Sequence, residues 1–413
     1  MADLARRPRV QSPLRRRRGM DAQRLQVLFA LAGLALGLLV PKIPGGPRAP
    51  SAQVIDMLFA LGFGILGVTG VIFSVLFLVV QWAHASFSPR LLLFRRSPVV
   101  WRTFAVAVAV AVFSITAALA IGRQEQVSVA VPAVAGILLL VMLLLLRTLL
   151  LTALAAVQLA PVLRSIAGAG HSVLASFYRS ADQQRPQDGA RLPPVHGQIV
   201  WPGHTAVLQQ VDIDRMVQLA QHAGATVVLS VVPGAVLARG TVVARLHGGR
   251  IPDADVLSAL VTGGEETFEQ DPFLAFRLLA DIALRALSPA VNDPATAVQT
   301  LDQLEDLLGA IPAGPVGSVQ AVGADGVVCV MVGLPGRDVF LRLGLDEVIA
   351  AAVNSPTVLL RVRTLCTRLS VADRVRDPVV AGRQAWVERE LAERYPLVWS
   401  EANGGRPGRA REV

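Results

Sequence analysis

Four apolar runs before residue 160 constrain this chain more than any other feature. They are about Leu25–Val40, Val54–Val80, Val99–Ile121, and a run that starts near Val127 and continues towards Ala160. A hydrocarbon core about 30 Å thick asks for roughly 20 such residues in a helix, and in lipid the backbone has no water to bond to, so the helix is forced. The first run is short for this purpose, but Arg24 and Lys42 flank it. No small-residue cleavage site follows it; it ends in Pro41-Lys42-Ile43-Pro44, which reads as a retained span rather than a signal peptide.

Charge divides at the same place. Residues 1–160 carry 16 Lys and Arg against 4 Asp and Glu, whereas 161–413 carry 23 against 26. A pI near 11.0 therefore reports arginines next to apolar spans and not a nucleic-acid footprint, and no nucleic acid is expected as a partner. The arm Met1–Arg24 holds eight arginines, and the loop 81–98 holds Arg90, Arg95 and Arg96. The loops at 41–53 and 122–126 hold only Lys42, Arg48 and Arg123. That asymmetry places both termini in the cytoplasm, with Trp82 and Trp101 in the interfacial belt on that side, and the expected location is the cell inner (cytoplasmic) membrane. Arg147 is the one charge between Val127 and Pro161. A span ending at Leu146 leaves it at the cytoplasmic boundary, and a span sliding towards Ala160 puts it in mid-bilayer.

Gly62, Gly64 and Gly67 form G-x-G-x-x-G, followed by Gly70, but inside an apolar span and not between a strand and a helix. The dinucleotide reading fails on that context, and close helix approach is expected instead, as for Gly33 and Gly37. The six histidines show no H-x-x-x-H or E-x-x-H spacing, and Cys329 and Cys366 have no partner at metal spacing. No metal and no cofactor is expected. Both thiols read as small core residues.

After Pro161 the chain turns polar, and Ser180–Pro194 reads as a linker. Gly197–Trp201, Ala206–Val211 and Thr226–Val232 are short β-rich runs around a helix near Ile213–His222. PGAVLARGTVVARL (Pro233–Leu246) resembles the hinge of lipoyl-like domains, which implies a small β-barrel or sandwich; a covalent carrier is excluded because the only lysine is Lys42. Asp325-Gly326 between Ser318–Val322 and Val327–Gly333 is a hairpin signal. Helical runs follow near Val339–Val353, Pro356–Ser370 and Pro378–Tyr395, and the tail from Asn403 on is rich in Gly and Arg.

The chemistry-bearing stretch is Glu269–Gly309. Asp271-Pro272 and Asp293-Pro294 each open a helix, since Asp accepts from free first-turn N–H groups and Pro has none to lose. The expected helices, Pro272–Leu287 and Pro294–Leu308, make an antiparallel hairpin. Arg277, Asp281 and Arg285, four apart, form one charged stripe on an otherwise apolar cylinder. Two readings stand: Asp281 bridges both arginines inside a core, or the stripe and the turn Ser288–Asp293, with Asn292, face a cavity for a small anionic or polar ligand.

SFSPRLL (Ser86–Leu92), the PGAVLARG turn, and above all TFEQDP with DIALRALSPAVNDPATAV (Asp281–Val298) resemble the bacterial predicted membrane proteins of domain-of-unknown-function family 2254, over about Arg24–Tyr395. The resemblance implies four spans and a cytoplasmic C-terminal domain, and brings no activity, substrate or cofactor. The family commonly has Arg before the Thr of TFEQD, where this chain has Glu266.

The expectation is thus an α-helical integral membrane protein, four transmembrane helices with a cytoplasmic α+β domain made of a small β-barrel or sandwich-like part plus a helical bundle. Its divisions are a disordered basic arm at 1–24, the spans at 25–160, a stalk and linker at 161–194, a β-rich subdomain at 195–250, a helical α+β subdomain at 251–400 and a disordered tail at 401–413. Lipid is the expected partner, with a homo-oligomer as a further one. No nucleophile–base pair or phosphate loop is visible, so no enzyme is expected. Two functions remain: a membrane-anchored cytoplasmic ligand-binding or regulatory module, and an oligomeric channel or transporter, against which stands the near absence of ionisable residues in the spans.

Overall fold

The computed structural model describes residues 22–43, 47–86, 98–122, 124–183, 192–314, 316–324, 326–373 and 377–402. The basic arm before Ala22, the arginines at 90, 95, 96 and 123, most of the SFSPRLL string, part of the linker, Asp325 and the tail lie outside the described residues. The chain falls into two compact units, the first ending at Val162 and the second beginning at Leu163.

The first unit holds α1 (Ala22–Leu39), β1 (Arg48–Pro50), α2 (Ser51–Ser86), α3 (Pro98–Ile121), β2 (Gln126–Ser128) and α4 (Ala130–Val157). Its four helices are long and apolar enough to cross a membrane, over Arg24–Lys42, Ser51–Leu78, Val99–Ile121 and Ala130–Leu154. Half of the α3 window is buried against 17–22% for the other three, so α3 is the helix the others gather around.

Glycine explains how closely α1 lies on α3. A Cβ on Gly33 would stand 2.3 Å from the Ala109 carbonyl oxygen, and one on Gly37 would stand 2.7 Å from Thr116 Cβ. Gly62 of α2 similarly meets Ser114 of α3. Gly64, Gly67 and Gly70 meet nothing within 4 Å, so only the first glycine of the G-x-G-x-x-G string serves packing inside the unit. Gly33→Leu is therefore expected to lower the melting temperature of the detergent-solubilised protein by several degrees, while Gly67→Leu leaves it within about one degree.

β1 and β2 pair antiparallel, Ala49 opposite Val127, which brings the connections after α1 and after α3 to one end of the unit. Gly33 on Ala109 and Gly37 beside Phe113 make α1 parallel to α3. The Phe73–Phe104 ring pair at 5.2 Å and the packing of Leu76, Val100, Leu149 and Ala153 make α2 and α4 antiparallel to it. Carried along the helices, this register sets Arg24, Arg102 and Arg147 at nearly one level, roughly 25–28 Å from the β1–β2 end at about 1.5 Å per residue. Arg102 and Arg147 are exposed there. The candidate span on α4, Ala130–Leu154, includes Arg147. α4 runs past it, its Leu149 and Ala153 packed inward and its Leu150, Leu151 and Leu154 exposed.

In the second unit the stretch read as stalk and linker is largely a helix, α5 (Leu159–Gln183). Its stripe of Leu163, Ile166, Leu174 and Phe177 is buried, at the three- and four-residue spacing of an amphipathic helix. α6 (Ile213–Ala223) and α7 (Asp253–Ser258) accompany eight strands: β3 (Val195–Val200), β4 (Ala206–Val211), β5 (Ala225–Leu229), β6 (Val236–Leu237), β7 (Val242–Gly248), β8 (Leu260–Gly263), β9 (Ser318–Val322) and β10 (Val328–Gly333). They form a five-stranded sheet in the order β3-β7-β5-β10-β9 and a three-stranded sheet in the order β6-β4-β8.

The closed barrel or sandwich expected at 195–250 is corrected by this order. β10 lies parallel to β5, Val330 opposite Val227, so a strand from far along the chain occupies the edge where a local barrel would close on itself. Both sheets are open, and sequence from either side of residue 250 builds the larger one.

The helices that follow are α8 (Leu274–Ala286), α9 (Pro294–Gly309), α10 (Arg337–Leu341), α11 (Glu347–Ala351), α12 (Pro356–Ala372), α13 (Pro378–Arg394) and α14 (Pro396–Ala402). A π-helical turn, Arg342–Asp346, joins α10 to α11 inside the run read as one helix. Gly344 in that turn has Leu304 and Phe276 where a Cβ would point, at 3.1 and 3.2 Å, so the bulge forms where the chain passes closest to α8 and α9. Arg361 ties α12 to Asp302 and Glu305 of α9 at 2.7 and 2.5 Å, and Arg383 of α13 grips Asp346 with two bonds of 2.5 and 2.7 Å. Cys329 and Cys366 are both buried, and burial pushes the Cys366 thiol up to about 12.

Candidate functional site

α8 begins at Leu274, two residues later than the Asp-Pro signal implies. The capping role of Asp271 survives the shift: its Oδ1 accepts from the N–H of Phe273 at 2.7 Å and of Leu274 at 3.2 Å. Its Oδ2 accepts from Arg277 Nη2. The arginine also lies with Nε 3.0 Å from Glu266 Oε1, close enough for an ion pair but without hydrogen-bond alignment. Among the described residues Arg277 therefore pairs with Asp271 and Glu266, two carboxylates from outside the stripe, where the bridged reading seats it on Asp281. The reason is burial: Asp271 is 1% exposed, where an unpaired charge costs most, so it takes the guanidinium that an i, i+4 neighbour would otherwise share.

The second wall of this centre comes from the strands. Gly234, at φ +93°, follows Pro233 in the turn ahead of β6, and its N–H donates to the Leu208 carbonyl at 2.7 Å. A Cβ at this position would fall 2.3 Å from the Asp271 carboxyl. Next to Asp271, Gln270 lies against β4: its Oε1 accepts from Val211 N–H at 2.8 Å and its Nε2 donates to Val211 O at 3.4 Å. Thr267 is buried, with no partner for its hydroxyl among the described residues. Phe273 stacks loosely under Arg277 at 5.8 Å and on Phe340 at 5.2 Å. Burial raises the Asp271 carboxyl from its ordinary 3.8 to about 6, with Arg277 and the two N–H donors pulling it down and Glu266 pushing it up.

The other expected residues lie along and beyond α8. Asp281 and Arg285 are half-buried on the helix, Arg285 in its last turn. Ser288 Oγ donates back to the Arg285 carbonyl at 2.7 Å, and its own carbonyl accepts from Asn292 N–H at 2.9 Å. Asn292 is exposed, at φ +47°, the one positive-φ residue other than glycine among the described residues. Asp293 caps α9, accepting from Thr296 N–H at 3.1 Å and Thr296 Oγ1 at 2.5 Å, and these bonds hold its carboxyl below the usual range. Asp271 with Arg277, and Ser288 with Asn292 and Asp293, are thus at opposite ends of a 13-residue helix, roughly 20 Å apart at helical rise. Asp293→Ala is expected to cost about 1 kcal/mol in chemical denaturation, the value of a lost N-cap.

Sequence reasoning missed Glu266, Thr267, Gln270 and Gly234 as members of the Asp271 centre. The TFEQDP and PGAVLARG strings carried them, but nothing in either string says that the two touch. Among the described residues no three His, Cys, Asp or Glu side chains stand together as metal ligands would.

Four helices fit to cross a bilayer, followed by a separate α/β unit, define a multi-span membrane protein with a large C-terminal region outside the spans. The chain belongs to the family described as predicted membrane protein (DUF2254), which matches residues 23–368. It is similar to the uncharacterized protein Rv1290c of Mycobacterium tuberculosis and the uncharacterized protein Mb1321c of Mycobacterium bovis. Each is 25% identical over 387 residues, covering 87% of this chain and 73% of the relative. No solved structure matches the chain.

Proposed function

We propose that the protein is a membrane-anchored regulatory module whose C-terminal unit lies in the cytoplasm, senses a small polar ligand there, and is mechanically joined to the spans through α5. The observation that carries this reading is the seat of α5. Only Gln158 separates α4 from α5, and a Cβ on Gly170 of α5 would stand 2.6 Å from Ala275 Cβ of α8 and 3.0 Å from Leu307 of α9. His171 adds a 2.6 Å bond to Asp306, and Tyr178 donates to the Pro335 carbonyl at 2.5 Å. Within its own unit α5 is thereby wedged on the hairpin that carries the charged stripe.

Charge supports the cytoplasmic side. Arg24, Arg102 and Arg147 share one level, at the end where α4 leaves the slab, and cytoplasmic boundaries collect arginine. Pairing supports the choice of ligand end. Arg277 is already held by two carboxylates, so the Ser288–Asp293 turn with Arg285 is the part of the stripe open to a small polar molecule. The oligomeric channel keeps one observation in its favour, the outward Gly64, Gly67 and Gly70 of α2, with room for a helix of another copy. Reconstituted protein in planar bilayers is expected to stay silent under voltage and tension. Hydrogen exchange in nanodiscs is expected to show the turn at 288–293 and α5 protected together when the small-molecule fraction of cytosol is added. Conductance, or protection of neither segment, would overturn the reading.

A further inference from the structure

Two arginines of the first unit have no anion. Arg102 of α3 and Arg147 of α4 both lie inside candidate spans, Val99–Ile121 and Ala130–Leu154. Both are exposed, and neither makes an ion pair or a hydrogen bond among the described residues. Val100 and Leu149, two residues from each, are buried in one apolar cluster with Leu76 and Ala153, so the antiparallel pair sets both arginines on the outer surface at one level. The unit offers no carboxylate to neutralise them. Of the four acids before residue 160, Asp56 is five residues into α2 and Glu125 precedes β2, both towards the β1–β2 end, while Asp3 and Asp21 lie outside the described residues. An arginine on an apolar span persists only where it reaches water or an anion, so the missing partner has to come from the bilayer.

We propose that Arg102 and Arg147 each hold the phosphate of an anionic phospholipid, giving the unit two specific lipid sites in one leaflet. Their level lies roughly 25–28 Å along the helices from the β1–β2 end. Lys42, Arg48 and Glu125 are exposed at that end. A hydrocarbon core about 30 Å thick, set between these two rows of charge, meets headgroups at both. A guanidinium there presents paired N–H donors to phosphate oxygens, with little water to compete. The net charge of the headgroup decides which lipid is kept. A zwitterionic headgroup brings its own cation beside the phosphate, and Arg24, at the same level, adds to the repulsion that this cation meets; a headgroup of the phosphatidylglycerol type brings none. The sites need the spans but no ligand at Ser288–Asp293, so they stand or fall separately from the proposed function.

Native mass spectrometry of the detergent-purified full chain, titrated with phosphatidylglycerol or phosphatidylcholine of the same acyl chains, tests this. Wild type is expected to retain two phosphatidylglycerol molecules at a concentration where phosphatidylcholine is not retained. Arg102→Gln and Arg147→Gln should each retain one, and the double variant none, while Arg48→Gln, at the other end of the unit, should still retain two. Thermal unfolding in the same detergent separates a lipid from free phosphate: phosphatidylglycerol should raise the melting temperature of wild type by several degrees, and inorganic phosphate should leave it unchanged. Equal retention of the two lipids, two lipids kept by either single variant, or stabilisation by inorganic phosphate would overturn the proposal. If the double variant does not fold, the two single variants decide: one lipid on each supports the sites, and two on either refutes them.

Discussion

Gly234→Val is expected to cost the C-terminal unit about 3 to 5 kcal/mol, a large share of the roughly 5–15 kcal/mol that holds a domain folded. Two costs add. The backbone at φ +93° is disfavoured for any side chain and most of all for a β-branched one. The new Cβ also falls 2.3 Å from a carboxyl that cannot retreat, because α8 and Arg277 hold it from the other side. Gly240, at φ +92° with nothing within 4 Å of a Cβ, isolates the first cost: Gly240→Ala should lose only about 1 to 2 kcal/mol. Thermal unfolding of both full-length variants in detergent checks the difference.

The second large effect is expected from Arg277→Met. It leaves Asp271 buried without its cation, and breaking such a pair from one side costs about 3 to 5 kcal/mol. The cost should depend on pH with a definite sign. In wild type the folded-state carboxyl titrates near 6, above its ordinary 3.8, so the stability it contributes is complete below 3.8 and is lost as pH rises through about 6. Removing the arginine raises the carboxyl further, because Arg277 is the largest influence pulling it down. The variant should therefore be far less stable than wild type at pH 7.5 and recover much of the difference at pH 5. Chemical denaturation at the two pH values reads this directly; an equal deficit at both would mean that Asp271 is not the group left exposed to the loss.

The four spans were legible because length and absence of charge act locally, and so were the starts of α9 and α13, where Asp293 and Asp377 accept from Thr296 and Val379 N–H. β9 could be read to the residue. The start of α8 could not, because Asp271 answers to Arg277 and Gly234 as well as to its own helix. The order of the large sheet was also out of reach, since the β5–β10 pairing joins segments about a hundred residues apart and leaves no mark on either. α7 and β8 are too short to show a period. Asp281 looked like the natural bridge between Arg277 and Arg285 because i, i+4 spacing was the only proximity the sequence displays; the deeper carboxylate arrived from outside the helix.

Everything proposed for α5 and the C-terminal unit depends on which side of the membrane they occupy. Single cysteines at Gln124, beside the β1–β2 end, and at Arg215, on α6, measure it against native Cys329 and Cys366, which are buried. A membrane-impermeant maleimide applied to intact cells is expected to label Gln124→Cys at once and Arg215→Cys only after lysis. Labelling of Arg215→Cys in intact cells, with Gln124→Cys protected, would contradict the account.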